Sequence, residues 1–174
     1  METGEGASAI RSAIKGQYQA ALSQLAAAVR QCPDSAWTDA RWKFPFWHVA
    51  YHALFYTHLY SSADEKSFRP WSKHRKDYQF MESTPWPPHT LPEPHQPYAR
   101  EELLAYVEEL HAWLDQSVDA ADLEAPSGFF WLELSKLELH LYNLRHLEHH
   151  TGQLVDRLRN TAGIAVDWVA KRDR

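Results

Sequence analysis

The chain has 174 residues, 44% hydrophobic and 24% charged, which fits one globular domain over 1–174, large enough to bury a core without staples. A formal net charge of −5 leaves no basic stripe for a phosphate backbone, so no nucleic-acid partner is expected. The single cysteine, Cys32, excludes an internal disulfide and a Cys-rich zinc knuckle; no run approaches the roughly 18–20 apolar residues of a membrane span, and the opening METGEGASAIRSAIKG is not signal-like, so a reduced, cytoplasmic protein is expected.

Residues 7–31 are Ala-rich, with apolar side chains at 10, 14, 18, 21, 22, 25 and 29, and predict a first helix that Pro33 stops. A connector carrying Trp37 and Trp42 follows. Residues 44–62, FPFWHVAYHALFYTHLYSS, predict a second helix, apolar nearly all round and therefore buried in a bundle, with Pro45 tolerated in its first turn. The next segment, 63–98, holds seven of the ten prolines and no sustained periodicity. Its aromatic residues Phe68, Trp71, Tyr78, Phe80 and Trp86 point to a lid packed over an opening rather than a free excursion.

Residues 99–118 predict an amphipathic helix with Leu103, Tyr106, Val107, Leu110, Trp113 and Leu114 on one face and acids in its first turn. APSG at 125–128 breaks the chain, and a last helix is expected from about 130 to 160, stopped near Gly163. The apolar tail IAVDWV is expected to dock back on the body, and AKRDR at the end reads as solvated. Four substantial helices without a strand predict an all-α fold, a four-helix bundle with a long Pro/aromatic-rich connection between the second and third of them.

On the last helix, at about 100° per residue, Leu137, Leu141, Leu144 and Val155 fall together and are expected to mark the core stripe, with Glu148 among them. His146 and His150 lie on another face with Leu139 and Asn143, one turn apart at i, i+4, and His149 turns toward solvent with Glu138, Arg145 and Asp156. Two imidazoles at that spacing can approach one ion, but a polar helix face explains such a pair equally. Neither H-E-x-x-H nor H-x-x-E-H is present. The second helix adds His48 and His52, again i, i+4, with Phe55 and Leu59, while His58 points elsewhere.

The order of these features resembles the DinB/YfiT-like family of bacterial four-helix-bundle metalloproteins: a histidine in the second helix, within FWHVAYHALFYTHLY, the His-x-x-x-His pair in RHLEHHTGQL, the long second connection, and a short tail with Trp168. The resemblance covers nearly the whole chain. It implies a three-histidine site for a divalent transition metal with open positions, made of His146 and His150 and, because YHALFYT is the better match, His52, with His48 the alternative. It also implies zinc or nickel, or else iron, a homodimer, and a metal-dependent thiol S-transferase or hydrolase whose small-molecule substrate includes a low-molecular-weight thiol.

Asn143 and Gln153 flank the pair and are candidates to orient an imidazole or a substrate; Tyr51, Tyr56 and Tyr142 are candidates to donate to substrate. No residue stands out as a general base. A second reading is a non-catalytic, stress-related metal-binding dimer whose site is closed by His48, His74, His89 or His95. A third needs no metal, with Trp71 and Trp86 lining an apolar small-molecule pocket.

Overall fold

The computed structural model describes residues 2–81 and 96–171. Its elements are α1 (Glu2–Gln31), α2 (Asp34–Trp37), α3 (Phe46–Ser61), α4 (Arg100–Ala120) and α5 (Lys136–Ala162). Among the described residues there is no strand, only an isolated bridge between Pro126 and Ser135. The four long helices pack as a helical bundle in which α3 lies against α4 and α5, and α1 against α4 and α5. No helix among the described residues is long and apolar enough to cross a membrane.

Along α1 the apolar spacing places Ile14, Tyr18, Leu22, Leu25 and Val29 in the core, whereas Ile10 stays outside it. Pro33 ends the helix, and the Arg100 guanidinium donates to the Val29 and Cys32 carbonyls that the last turn leaves unpaired. The connector contains a helical turn that periodicity does not announce: Pro33 caps α2, and the Trp37 indole donates to the Tyr98 carbonyl at 2.9 Å. Pro45 sits just before α3, and that helix is buried on most of its circumference, as its composition requires.

The segment after α3 is packed. Trp71 is buried and lies flat on Tyr106, 4.5 Å between ring centroids, with its indole donating to Glu109; Phe68 meets Phe55 edge-on. Trp71 is thus a core side chain rather than a pocket wall, and Trp86 lies outside the described residues. On α4 the buried face is Leu103, Tyr106, Val107, Leu110, His111 and Leu114. Trp113 is not in it: the ring is 37% exposed and its indole donates to Ser61.

The last helix begins at Lys136, six residues later than the apolar pattern suggests. Ser135 caps it, accepting from the Glu138 amide while Glu138 accepts from the Ser135 amide, the reciprocal box that Ser-x-x-Glu encodes. The preceding residues form a hydrogen-bonded turn instead, with the Ser127 amide on the Leu134 carbonyl. Buried Lys136 donates to the carbonyls of Ser62, Ala63 and Ser127, tying this turn to the end of α3. Gly128 (φ +85°) is required there, because a Cβ would stand 2.6 Å from the Ala63 carbonyl oxygen. Gly163, left-handed at φ 67°, ends α5. The tail docks through Val166, while Trp168 is 74% exposed.

Candidate metal centre

The core face of α5 is not the stripe expected from its spacing. Leu139, Asn143, Leu147, His150, Leu154 and Leu158 are buried, whereas Leu141 is 55% exposed and Leu137, Leu144 and Val155 are only partly covered. The stripe expected from hydrophobicity therefore lies at the edge of the core, partly covered except at Leu141, and the face bearing the histidine pair faces α3. Polar groups are accepted there because they are matched across the bundle: the Asn143 amide donates to the Thr57 carbonyl at 3.0 Å, and His140 Nδ1 is 3.2 Å from the Tyr18 hydroxyl.

This orientation brings His146 and His150 of α5 against His52 of α3, with one ring nitrogen from each lying within 4.8 Å of the others. His146 Nε2 is 3.2 Å from His52 Nε2 and 3.2 Å from His150 Nε2. Two nitrogens bound tetrahedrally at zinc-like lengths stand about 3.3 Å apart, so both separations suit one shared ion.

The outer nitrogens fix the tautomers. His52 Nδ1 lies 2.6 Å from the Gln79 carbonyl oxygen and must donate to it. His150 Nδ1 lies 2.9 Å from Gln153 Oε1 and donates to it, while the same amide's nitrogen donates to His149 Nε2 at 3.0 Å. Both rings therefore present a bare Nε2 lone pair to His146 Nε2. One N–H on His146 serves only one of them well, and putting that proton on Nδ1 leaves a buried donor without a partner. A cation matches all three lone pairs at once. The donor set is all imidazole, which suits zinc, nickel, copper or iron.

Burial, reinforced by the neighbouring imidazoles, holds the site neutral. His146 is pushed down to about 4, first by desolvation and then by the charges of His150 and His149. His52 is lowered well below the usual histidine value by burial, then by His150 and His146; His150 is lowered by burial despite its bond to Gln153. Neutral rings are the form a metal needs. Tyr56 overlies the site, its ring centroid 4.7 Å from that of His52 and 5.5 Å from that of His146, and burial keeps its hydroxyl protonated.

Other candidates lie apart from the cluster. His48 Nε2 donates to the Tyr78 carbonyl at 2.8 Å, His58 Nδ1 meets the Tyr106 hydroxyl, and His74 Nδ1 meets the Tyr51 hydroxyl at 2.6 Å. That bond, and complete burial, occupy Tyr51. Tyr142 packs edge-on against Tyr60 under the Arg145 guanidinium. His89 and His95 lie outside the described residues. His149 is exposed, as its angular position implies. Glu148 sits with Leu144 and Trp168 in a groove toward α1, where burial raises its carboxyl. Asn143 ties helices together rather than orienting a ring; Gln153 does orient one. The carbonyls of Tyr78 and Gln79 carry no signal in the sequence, since any residue supplies one.

No family model, curated protein or solved structure matches the chain.

Proposed function

We propose that the protein binds one divalent transition metal through His52, His146 and His150 and uses it as a metal-dependent enzyme of the thiol S-transferase type. The observation that carries this reading is the pair of tautomer-fixing bonds, His52 to Gln79 and His150 to Gln153, which turn bare nitrogens onto His146. In this reading the fold is a DinB/YfiT-like four-helix bundle, the ion is zinc or nickel with iron as the alternative, and the three neutral ligands leave it an open position. A divalent ion so held supplies a Lewis-acidic centre that lowers the pKa of a thiol or water bound to it.

Thiol transfer is favoured over hydrolysis by what surrounds the cluster. Its members among the described residues are all histidines, with no carboxylate among them to serve as general base. A thiol with an ordinary pKa near 8.5 asks less of a base than water does. The thiol sulfur would displace a leaving group on an electrophilic carbon, with the thiol proton passing to solvent. Tyr56, protonated beside His52, would donate a hydrogen bond to the departing group. Pairing as a homodimer belongs to the same reading, and the exposed Leu141 and Trp168 offer apolar surface for it.

Cobalt(II) reports on the open position. Adding a low-molecular-weight thiol to cobalt-loaded protein should change its visible absorption in a saturable way, and chelation should abolish conjugation of that thiol to an electrophilic test substrate. A spectrum indifferent to thiol means a closed site and the non-catalytic, metal-binding alternative. The orienting bond can be examined on its own. Gln153→Leu should weaken zinc binding about 10–100-fold, the usual cost of losing an outer hydrogen-bond partner, whereas Gln153→Glu, which still accepts from His150, should stay close to wild type. Equal affinities for wild type and Gln153→Leu in a chelator competition would reject the orienting role.

A further inference from the structure

His48 is almost completely buried yet stands outside the three-histidine cluster. Its ring stacks on Trp47, its Nε2–H donates to the Tyr78 carbonyl at 2.8 Å, and its Nδ1 is buried without a partner. An apolar ring would fill the same space without that unpaired nitrogen, so packing alone does not account for an imidazole here. The bond to Tyr78 does. One turn along α3, His52 donates from its Nδ1 to the next carbonyl, that of Gln79. Two histidines at i, i+4 thus hold two successive carbonyls of one turn.

The turn is built for this. Asp77, at φ 66°, is the one non-glycine residue in the left-handed region among the described residues. The chain reverses around it, with the Tyr78 amide on the Arg75 carbonyl and the Phe80 amide on the Asp77 carbonyl. On its far side the segment is fastened toward α4: the Arg75 guanidinium lies 4.2 Å from the centroid of Tyr98, the Arg75 amide donates to the Tyr98 hydroxyl, and the Trp71 indole donates to Glu109. A continuous set of contacts therefore runs from α4 through this turn to His52, and from His52 to His146 and His150 on α5.

We propose that His48 is a positioning residue which, with His52, clamps the Tyr78 and Gln79 carbonyls, so that filling the His52–His146–His150 centre and closing the 71–80 segment are one linked event. The coupling rests on the metal-centre reading above; the clamp itself does not. Its logic is linkage: whatever fixes His52 as the Nδ1–H tautomer favours the ion, and the ion in turn favours the closed turn.

Zinc affinity by chelator competition and amide hydrogen exchange over residues 74–80 test both parts on the full chain. For His48→Ala the expected results are one zinc still bound, an affinity about 10–100-fold weaker, and faster exchange in 74–80 even without metal; His48→Gln, which can still donate, should recover much of each. Asp77→Val alters the turn without touching the core and should weaken zinc similarly, while Asp77→Gly should not. Zinc should slow exchange of 74–80 in wild type and leave it unchanged in His146→Ala. Complete loss of zinc in His48→Ala, as for a ligand, overturns the positioning role. Wild-type affinity and exchange in His48→Ala overturn the clamp while leaving the metal centre intact. If wild type takes up no zinc, the metal reading fails and the coupling falls with it, and metal-free exchange in His48→Ala still decides the clamp.

Discussion

Replacing His146 with alanine should empty the centre: protein purified without an affinity tag or chelator should carry about one equivalent of transition metal in the wild type and almost none in the variant, measured by elemental analysis. His146 is the residue to choose because its Nε2 stands 3.2 Å from both of the other nitrogens, so its loss leaves two donors on different helices with nothing between them. His52→Ala should behave alike, for it removes the only ligand from α3. His149→Ala is the control. It lies beside His150 in sequence, but its ring is exposed and stands outside the three-histidine cluster, so metal content should be retained. Equal metal in wild type and His146→Ala, or none in wild type after zinc and nickel are supplied, would sink the three-histidine centre.

The parts of this site that were legible in the sequence are those set by spacing. His146 and His150 share a face because i, i+4 is one turn, and His149 is the outlier for the same reason. The helices themselves followed from period and punctuation: Pro33 after α1, and Gly163 after α5. What spacing does not give is which face turns inward. On α5 the stripe of Leu137, Leu141 and Leu144 ends at the edge of the core, and the bundle buries the neighbouring face, where Leu139, Leu147, Leu154 and Leu158 are interleaved with His140, Asn143, His150 and Thr151. Their partners lie on α1 and α3 or on the preceding turn, as with Tyr18, Thr57 and the Leu147 carbonyl, and a hydrophobicity pattern has no access to them.

The start of α5 is a different kind of miss. Ser135 and Glu138 spell a capping box that outranks the apolar residues before it, and reading it would have placed the helix correctly. The carbonyls that orient His52 and hold His48 were never legible, because backbone groups are common to every residue; only the left-handed turn at Asp77 aims them. The family resemblance selected His52 over His48 from a short string of residues. In the structure the Nε2 of His52 faces α5, whereas the Nε2 of His48 is spent on Tyr78.

Without metal, the protein should lose stability steadily as pH falls from about 6.5 to about 4, because burial holds its histidines below their ordinary value. His58, His140 and His146 are each pushed down to about 4, and His48, His52 and His150 are lowered as well, desolvation being the leading cause in every case. As pH drops through 6.5 the unfolded chain takes up protons that the folded one refuses, so stability is full above that value and declines until the folded groups titrate in turn. For fully enclosed His140 the difference corresponds to about 3 kcal/mol, a large share of the stability of an ordinary domain. Urea midpoints of chelator-stripped protein should therefore fall across this window, and His140→Gln should make the slope shallower. Zinc-loaded protein should hold its midpoint to lower pH, since the ion excludes protons from three of the rings, and then lose metal and stability together. A flat metal-free profile through the window would show that these imidazoles reach water in the folded state, and the lone pairs facing His146 would then have a second way to be satisfied.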